Sequence, residues 1–269
     1  MMSHRFRILL IAILTVTCGC GGNSVVPYEA AASGNWAIYS TGSQPAPVTG
    51  GNLDFSGNSA TADFYLPGDA CFSPGSLRLT GTSDRDGNLT LTSTSVDGQV
   101  VTLTGALAET NSSIPSGRFT VKGGCANGET GSFDGELIPS LSGSWTGNAT
   151  FGLSGNTSFT VPVTLAIQQG SSPTAFWFPV SGTLQLAQNS CSLSSGQLTQ
   201  NVLVDSSDVY ESSTAGYQLW ASALMGNGPQ VVIAGAIPSS NLNTTQATLT
   251  ITGGACSGYT ASNVTLTRQ

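Results

Sequence analysis

Histidine is all but missing from this chain: the one present, His4, lies close to the N-terminus. Downstream of it no Ser-His or Cys-His nucleophilic pair can form, and histidine-ligated zinc is excluded on the same ground. Charge is scarce too. Asp, Glu, Lys and Arg make up 8% of residues, and the formal net charge is −7. Beyond Arg5 and Arg7, the only basic side chains are Arg78, Arg85, Arg118, Lys122 and Arg268. Nucleic-acid binding needs a basic patch to displace counterions, so that partner is excluded. There is no Gly-x-Ser-x-Gly elbow and no phosphate-cradling Gly-rich loop followed by Lys and Ser or Thr. Nor is there an apolar run long enough to cross a bilayer as a helix.

The longest such run, residues 8–16, has the size of a signal-peptide core and follows Arg5 and Arg7. After it comes Thr17-Cys18-Gly19-Cys20-Gly21-Gly22-Asn23. This stretch resembles a bacterial lipoprotein signal, in which a small residue precedes the cysteine that becomes the lipidated N-terminus. The resemblance implies cleavage after residue 19, lipid on Cys20 and export to the cell envelope, with Cys18 as the alternative. Gly21 in place of Asp implies sorting to an outer membrane. Thr17 departs from the family's usual Leu. Residues 20–33 are small and polar and read as a lipid-anchored flexible tether.

What is abundant is glycine, 34 residues of it, amid many Ser, Thr and Asn. Two sets of landmarks organise the rest. Gly34-Asn35-Trp36 opens one stretch and Gly143-Ser144-Trp145 another. Each continues to a cysteine (Cys71, Cys191). Each closes on a second cysteine beside a glycine pair, Gly123-Gly124-Cys125 and Gly253-Gly254-Ala255-Cys256. Val100-Val101 leading to Gly105-Ala106-Leu107 is likewise matched by Val231-Val232 leading to Gly235-Ala236-Ile237. The expected domains are therefore 34–139 and 140–269, two copies of one unit, each long enough for its own core.

Apolar residues alternate with polar ones in short runs, the period of half-buried strands. The first copy predicts strands at 35–39, 53–55, 61–66, 76–82, 89–95, 100–108, 118–122 and 132–137. Asp86-Gly87-Asn88 and Asp97-Gly98 read as hairpin turns. The second copy predicts strands at 159–167, 176–186, 218–224, 231–237, 247–252 and 263–268, while the region 205–211 reads as turn-rich. The expected fold is all-β: two tandem antiparallel eight-stranded meanders, barrel-like, each with one disulfide. The repeat selects Cys71–Cys125 and Cys191–Cys256 from the three possible pairings, and export supplies the oxidising setting. Metal ligation by these cysteines would need closer spacing.

The Gly-x-Trp opening with eight strands resembles the calycin barrels, lipocalins and avidin-like proteins. That resemblance implies a tryptophan plugging one barrel end, room for one small ligand, and Arg268 stacked on Trp145; the first copy has Glu136 and Leu137 where such an arginine would stand. The whole chain also resembles two-repeat, Gly/Ser/Thr-rich lipoproteins of environmental bacteria, which implies a location and a fold but no activity.

Candidate sites are few. Phe176, Trp177 and Phe178 run together, and alternation places Trp177 opposite its neighbours. With Tyr217 and Trp220 nearby, Trp177 is a candidate for contacting a sugar or a protein, against the alternative that the aromatics are packed away. Asp84/Asp86 and Asp205/Asp208/Glu211 are the acidic clusters. A hairpin turn and a solvated loop explain them as well as a cation does. The chain reads as a non-enzymatic envelope lipoprotein, a binding or interaction module for a small apolar molecule, a glycan or a protein, without cofactor or metal. A structural or assembly component of the envelope is the alternative, and a hydrolase built on two carboxylates a distant one.

Overall fold

The computed structural model describes residues 31–153, 158–171, 177–187, 189–205, 216–226, 228–238 and 240–269, and of residues 177 and 199–205 the backbone alone. The first copy contains β1 (Gly34–Ser40), β2 (Gly50–Ser56), β3 (Ser59–Leu66), β4 (Gly75–Ser83), β5 (Asn88–Ser93), β6 (Val100–Ala106), β7 (Ser113–Lys122) and β8 (Thr130–Ile138). Each strand pairs antiparallel with the next, and β8 returns to β1, closing a barrel. The second copy repeats this with β9 (Gly143–Phe151), β10 (Phe159–Gln169), β11 (Trp177–Leu186), β12 (Ser195–Asp205), β13 (Gly216–Met225), β14 (Gln230–Pro238), β15 (Thr244–Thr252) and β16 (Thr260–Arg268), closed between β16 and β9. The two disulfides are Cys71–Cys125 and Cys191–Cys256, with Cα atoms 5.6 and 5.7 Å apart. The expected all-β fold of two tandem eight-stranded barrels, one disulfide each, is the fold observed.

Alternation does the building. In β5 Leu89, Leu91 and Ser93 point inward while Asn88, Thr90 and Thr92 face out. The same rule fills the first barrel with Trp36, Leu53, Phe64, Leu79, Val101 and Phe119, and the second with Trp145, Phe151, Leu165, Leu184, Val231 and Leu249. Outward positions are largely Thr, Ser, Asn and Gln, the inverse of a membrane-spanning barrel, whose apolar face is outside. Among the described residues no helix is long and apolar enough to cross a membrane. Asp97 and Gly98, with φ of 50° and 80°, make the tight turn that their dipeptide predicts.

Two strands of the second copy are missing from the sequence reading: β9, of which only the Gly143-Ser144-Trp145 landmark was noted, and β12. The pairings of β12 with both neighbours slip: with β13 between its own Thr199 and Val202, and with β11 between that strand's Pro179 and Thr183. Such bulges break the period of two, and the sequence there puts Gln200-Asn201 between Leu198 and Val202.

Both barrels hold their buried tryptophan in the same way. The indole N–H of Trp36 donates to Ala32 O (2.8 Å), and that of Trp145 to Leu141 O (3.1 Å). The serine between each pair accepts a backbone N–H from the neighbouring strand: Ser33 Oγ from Phe55, Ser142 Oγ from Gln169. Ala32 and Leu141 have no accessible surface. The repeated unit thus begins before the Gly-x-Trp landmark, and residues 31–33, at the end of the expected tether, are already joined to the barrel.

The cysteine-bearing turns superpose with an offset. Gly123 N–H donates to Asn127 Oδ1 as Gly253 N–H donates to Ser257 Oγ, and Gly128 and Gly258 bond back to Val121 and Ile251 alike. Residue 125 therefore corresponds to 255, and Cys256 stands where the first barrel has Ala126. A glycine is needed at the second position of the turn. Its φ is +58° at Gly124, and a Cβ there would lie 2.3 Å from Gln99 Cγ; at Gly254 (φ +68°) the corresponding neighbour is Pro229.

The barrels also touch. Ala37 and Ile138, on the outside of the first barrel, belong to the apolar cluster of the second, with Tyr39 packed against it. This explains why Trp36, Ala37 and Ile38 are buried in succession, against the period of two. Asn35 Nδ2 donates to Gly170 O across the junction at 2.9 Å.

Candidate functional site

The calycin resemblance implies a ligand in the barrel interiors. In the first barrel the void among Trp36, Leu53, Phe64, Leu103 and Phe133 is about 10 Å³, the room of a single water. In the second, Leu165, Leu184, Leu249, Val231 and Phe151 have no accessible surface, so no water-sized void touches them. Side chains fill the centre of the first barrel, and among the described residues of the second these five leave no room for a guest.

Of the aromatic candidates, Trp220 is exposed (48%), and its indole N–H donates to Gln218 Oε1 at 3.3 Å. With Leu224 (54%) and Leu153 (37%) it makes up the exposed large apolar side chains among the described residues. Tyr217 lies three positions away on β13 and therefore takes the opposite face; it is buried at 7%. Trp220 and Tyr217 belong to different surfaces. Trp177 opens β11 with its backbone opposite Val204, which in turn stands opposite Gln218; its side chain lies outside the described residues, as do Phe176, Asp208, Glu211 and the candidate lipid site Cys20.

Asp84 explains its cluster without a metal. Its carboxylate accepts the N–H groups of Asp86 and Asn88 (2.9 Å each) and the side-chain amide of Asn88 (2.8 Å). The Asn88 side-chain bond, then the backbone bonds, hold its pKa below the usual carboxylate range. It is a turn clasp. Among the described residues no three His, Cys, Asp or Glu side chains gather to hold a metal ion.

Arg268 pairs in register with Trp145. Its guanidinium, however, is aimed at the inter-barrel linker. It donates to Ser140 O at 3.1 Å and to Ser142 O. The C-terminal strand thereby clamps the segment that joins the barrels.

A groove of about 620 Å³ opens at the junction, within the roughly 300–1,000 Å³ of small-molecule sites. Tyr39, Ser112, Ser113, Pro115, Asp134 and Glu136 line it from the first barrel and Tyr217 from the second. Tyr39 is paired with Asp134, and Ser113 with Glu136, across adjacent strands. Asp134 and Glu136, two apart on β8, share its outer face roughly 7 Å apart along the strand. Asp134 Oδ1 accepts the N–H of Ser116 at 2.9 Å. Ser116 sits in a bulge of β7 with φ +62°, strain of the kind that collects at functional sites. The sequence reading passed over this acid pair. Its signal was alternation within 132–137, which sets Asp134 and Glu136 opposite Phe133.

No family model matches the chain, and no curated protein matches it. A solved structure from Nostoc punctiforme PCC 73102, a protein of unknown function in the DUF3598 family, is similar at 12% identity and a TM-score of 0.27. The match covers 88% of this chain and 94% of that one. Neither family nor function passes to this chain from a likeness so slight.

Proposed function

We propose that the protein is an exported cell-envelope lipoprotein, anchored through lipid on Cys20, that binds its ligand on the outside of its two barrels and performs no chemistry. The observation that carries the reading is the filled interior of the first barrel, with the described inward residues Leu165, Leu184 and Leu249 of the second equally without accessible surface. A calycin-type carrier holds its guest inside, and a void of about 10 Å³ admits no such guest. The features left for recognition are external: the exposed Trp220 and Leu224 on β13 and the inter-barrel groove. Of the two carboxylates in that groove, Asp134 is already committed to the Ser116 N–H, which favours binding over hydrolysis. The second reading is a structural component of the envelope, which equally needs filled barrels; an exposed tryptophan and a groove of ligand size favour the binding module over it.

The test is native mass spectrometry of the full chain purified from its own envelope in mild detergent, beside a denaturing spectrum. The expected result is no retained apolar guest and a reversible mass gain on adding polar envelope extract. A fatty or isoprenoid mass released only by denaturation would overturn the external-site reading.

A further inference from the structure

We infer that the outer face of β13 and β14 is a bilayer-docking surface, on which Trp220 and Leu224 enter the lipid interface and lay the second barrel on the membrane that holds the anchor. The inference goes beyond the external-binding reading and rests on its anchor at Cys20.

The face itself is apolar and uncharged. Trp220 and Leu224 are 48% and 54% exposed. Four positions apart on one strand, they share a side of it, roughly 13 Å from one to the other. Ser222 between them is covered, at 9%. On the adjoining strand the half-buried Val232 and Ala234 stand opposite Ser222 and Trp220. No charged residue lies on either strand. The Trp220 indole N–H already donates to Gln218 Oε1, so the ring can leave water without orphaning its donor. An aromatic ring with an apolar body and a satisfied polar edge suits the membrane–water interface.

The point where the tether enters, and the division of charge, identify the occupant. The chain before Ala32 meets the molecule at the junction of the barrels, where Asn35 donates to Gly170 O of the second barrel. β13 starts at the same junction, with Tyr217 in the groove beside Tyr39. Leu224, seven residues further along, lies roughly 23 Å from there, inside the roughly 40 Å that a dozen extended residues span. A lipid on Cys20 therefore keeps this face within reach of its own bilayer. Docking becomes an intramolecular event, for which two side chains suffice. Charge decides which barrel goes down. Residues 34–139 carry ten acids and four bases, and residues 140–269 three acids and one base. An anionic membrane surface repels the first barrel more strongly. The three acids of the second all precede β13 in the chain, and Asp205 pairs with Tyr217 at the strand's start, away from Leu224.

The experiment reconstitutes the full lipidated chain into vesicles of phosphatidylethanolamine and phosphatidylglycerol, with and without a phosphatidylcholine brominated on its acyl chains. The vesicles are floated, and the tryptophan emission of wild type is compared with that of Trp220→Phe, which keeps an aromatic body at the face. The difference isolates Trp220. On vesicles it should move to shorter wavelength, and brominated lipid should remove more than half of it. Leu224→Asp should abolish both effects, while Leu153→Asp, beyond the end of β9 and four strands away round the barrel, should leave them. A chain that floats with Trp220 unshifted and unquenched overturns the docking face and leaves the anchor standing; a chain that does not float overturns both. Quenching that survives Leu224→Asp overturns the assignment to this face. A doubled mass of the lipid-free Cys20→Ala chain, returned to a single mass by Leu224→Asp, would give the face to a second copy of this chain instead.

Discussion

Gln99 donates its side-chain amide to the main-chain carbonyl of Cys71 at 2.6 Å. Its carbonyl oxygen accepts the N–H of Ala126 at 2.9 Å. The residue has no accessible surface. One buried amide thus joins three loops at the same barrel end, including both flanks of the Cys71–Cys125 bridge. The second barrel has Pro229 in the corresponding place and no such clasp. There Asn189 Oδ1 accepts the N–H groups of Cys191 and Leu193, as Asp69 Oδ1 accepts those of Cys71 and Phe72.

Replacing Gln99 with Leu should therefore cost about 2–4 kcal/mol, since it orphans a buried carbonyl and a buried N–H together. The loss should appear as a lower urea midpoint for the first barrel while the bridge still forms. An unchanged midpoint would mean that water reaches both groups and the end is open.

The one-residue offset between the bridges has a chemical consequence. Cys125 is exposed, whereas Cys256 takes the position of buried Ala126 and is half-buried. Thiol–disulfide exchange needs access to a sulfur. Graded reduction followed by alkylation and peptide mapping should label Cys71 and Cys125 before Cys191 and Cys256. Each bridge closes a loop worth roughly 4 kcal/mol of chain entropy, so the first barrel should also be the first to lose heat resistance under mild reductant. The reverse order of labelling would show that the offset does not govern access.

Asp84 gives the first barrel a pH dependence of known sign. Its folded pKa is lowered by the Asn88 side-chain and backbone bonds. A depressed carboxylate stabilises the fold fully above its unfolded pKa, and that contribution is lost as pH falls through the lowered folded value. The stability gap between wild type and Asp84→Ala should accordingly be widest near neutrality and close in acid below the usual carboxylate range. A gap that holds constant into acid would show that the turn needs the side chain's shape and not its charge.

The strands of the first copy were legible because its pleat is regular: inward Leu77 and Leu79, Leu89 and Leu91, Val101 and Leu103 mark three consecutive strands. The bridges were legible because the landmarks recur. β12 was hidden where bulges shift the pairing. Ser33 and Ser142 were hidden because their bonds reach Phe55 and Gln169, far away in sequence, and serine is too common here to signal anything alone. The groove was hidden for a deeper reason. Tyr39, Glu136 and Tyr217 come together only when one barrel docks on the other, and no local periodicity records a docking. Its one trace is at Ala37, a small apolar residue on an outward-facing position between Trp36 and Ile38.

The proposed anchor makes the last prediction. The first barrel begins to be fixed at Ala32 and Ser33, so a lipid on Cys20 would be joined to it by a dozen residues at most. Fully extended, such a tether spans roughly 40 Å, and a coil of that length spans about half as much. The barrels would then be held within about one barrel length of the bilayer, with the groove facing envelope material at that height. Cys20→Ala should move the protein from the membrane to the soluble fraction, whereas Cys18→Ala should leave it anchored. Membrane retention of the Cys20 variant would remove the anchor on that residue, and retention lost only in the Cys18 variant would move the lipid there.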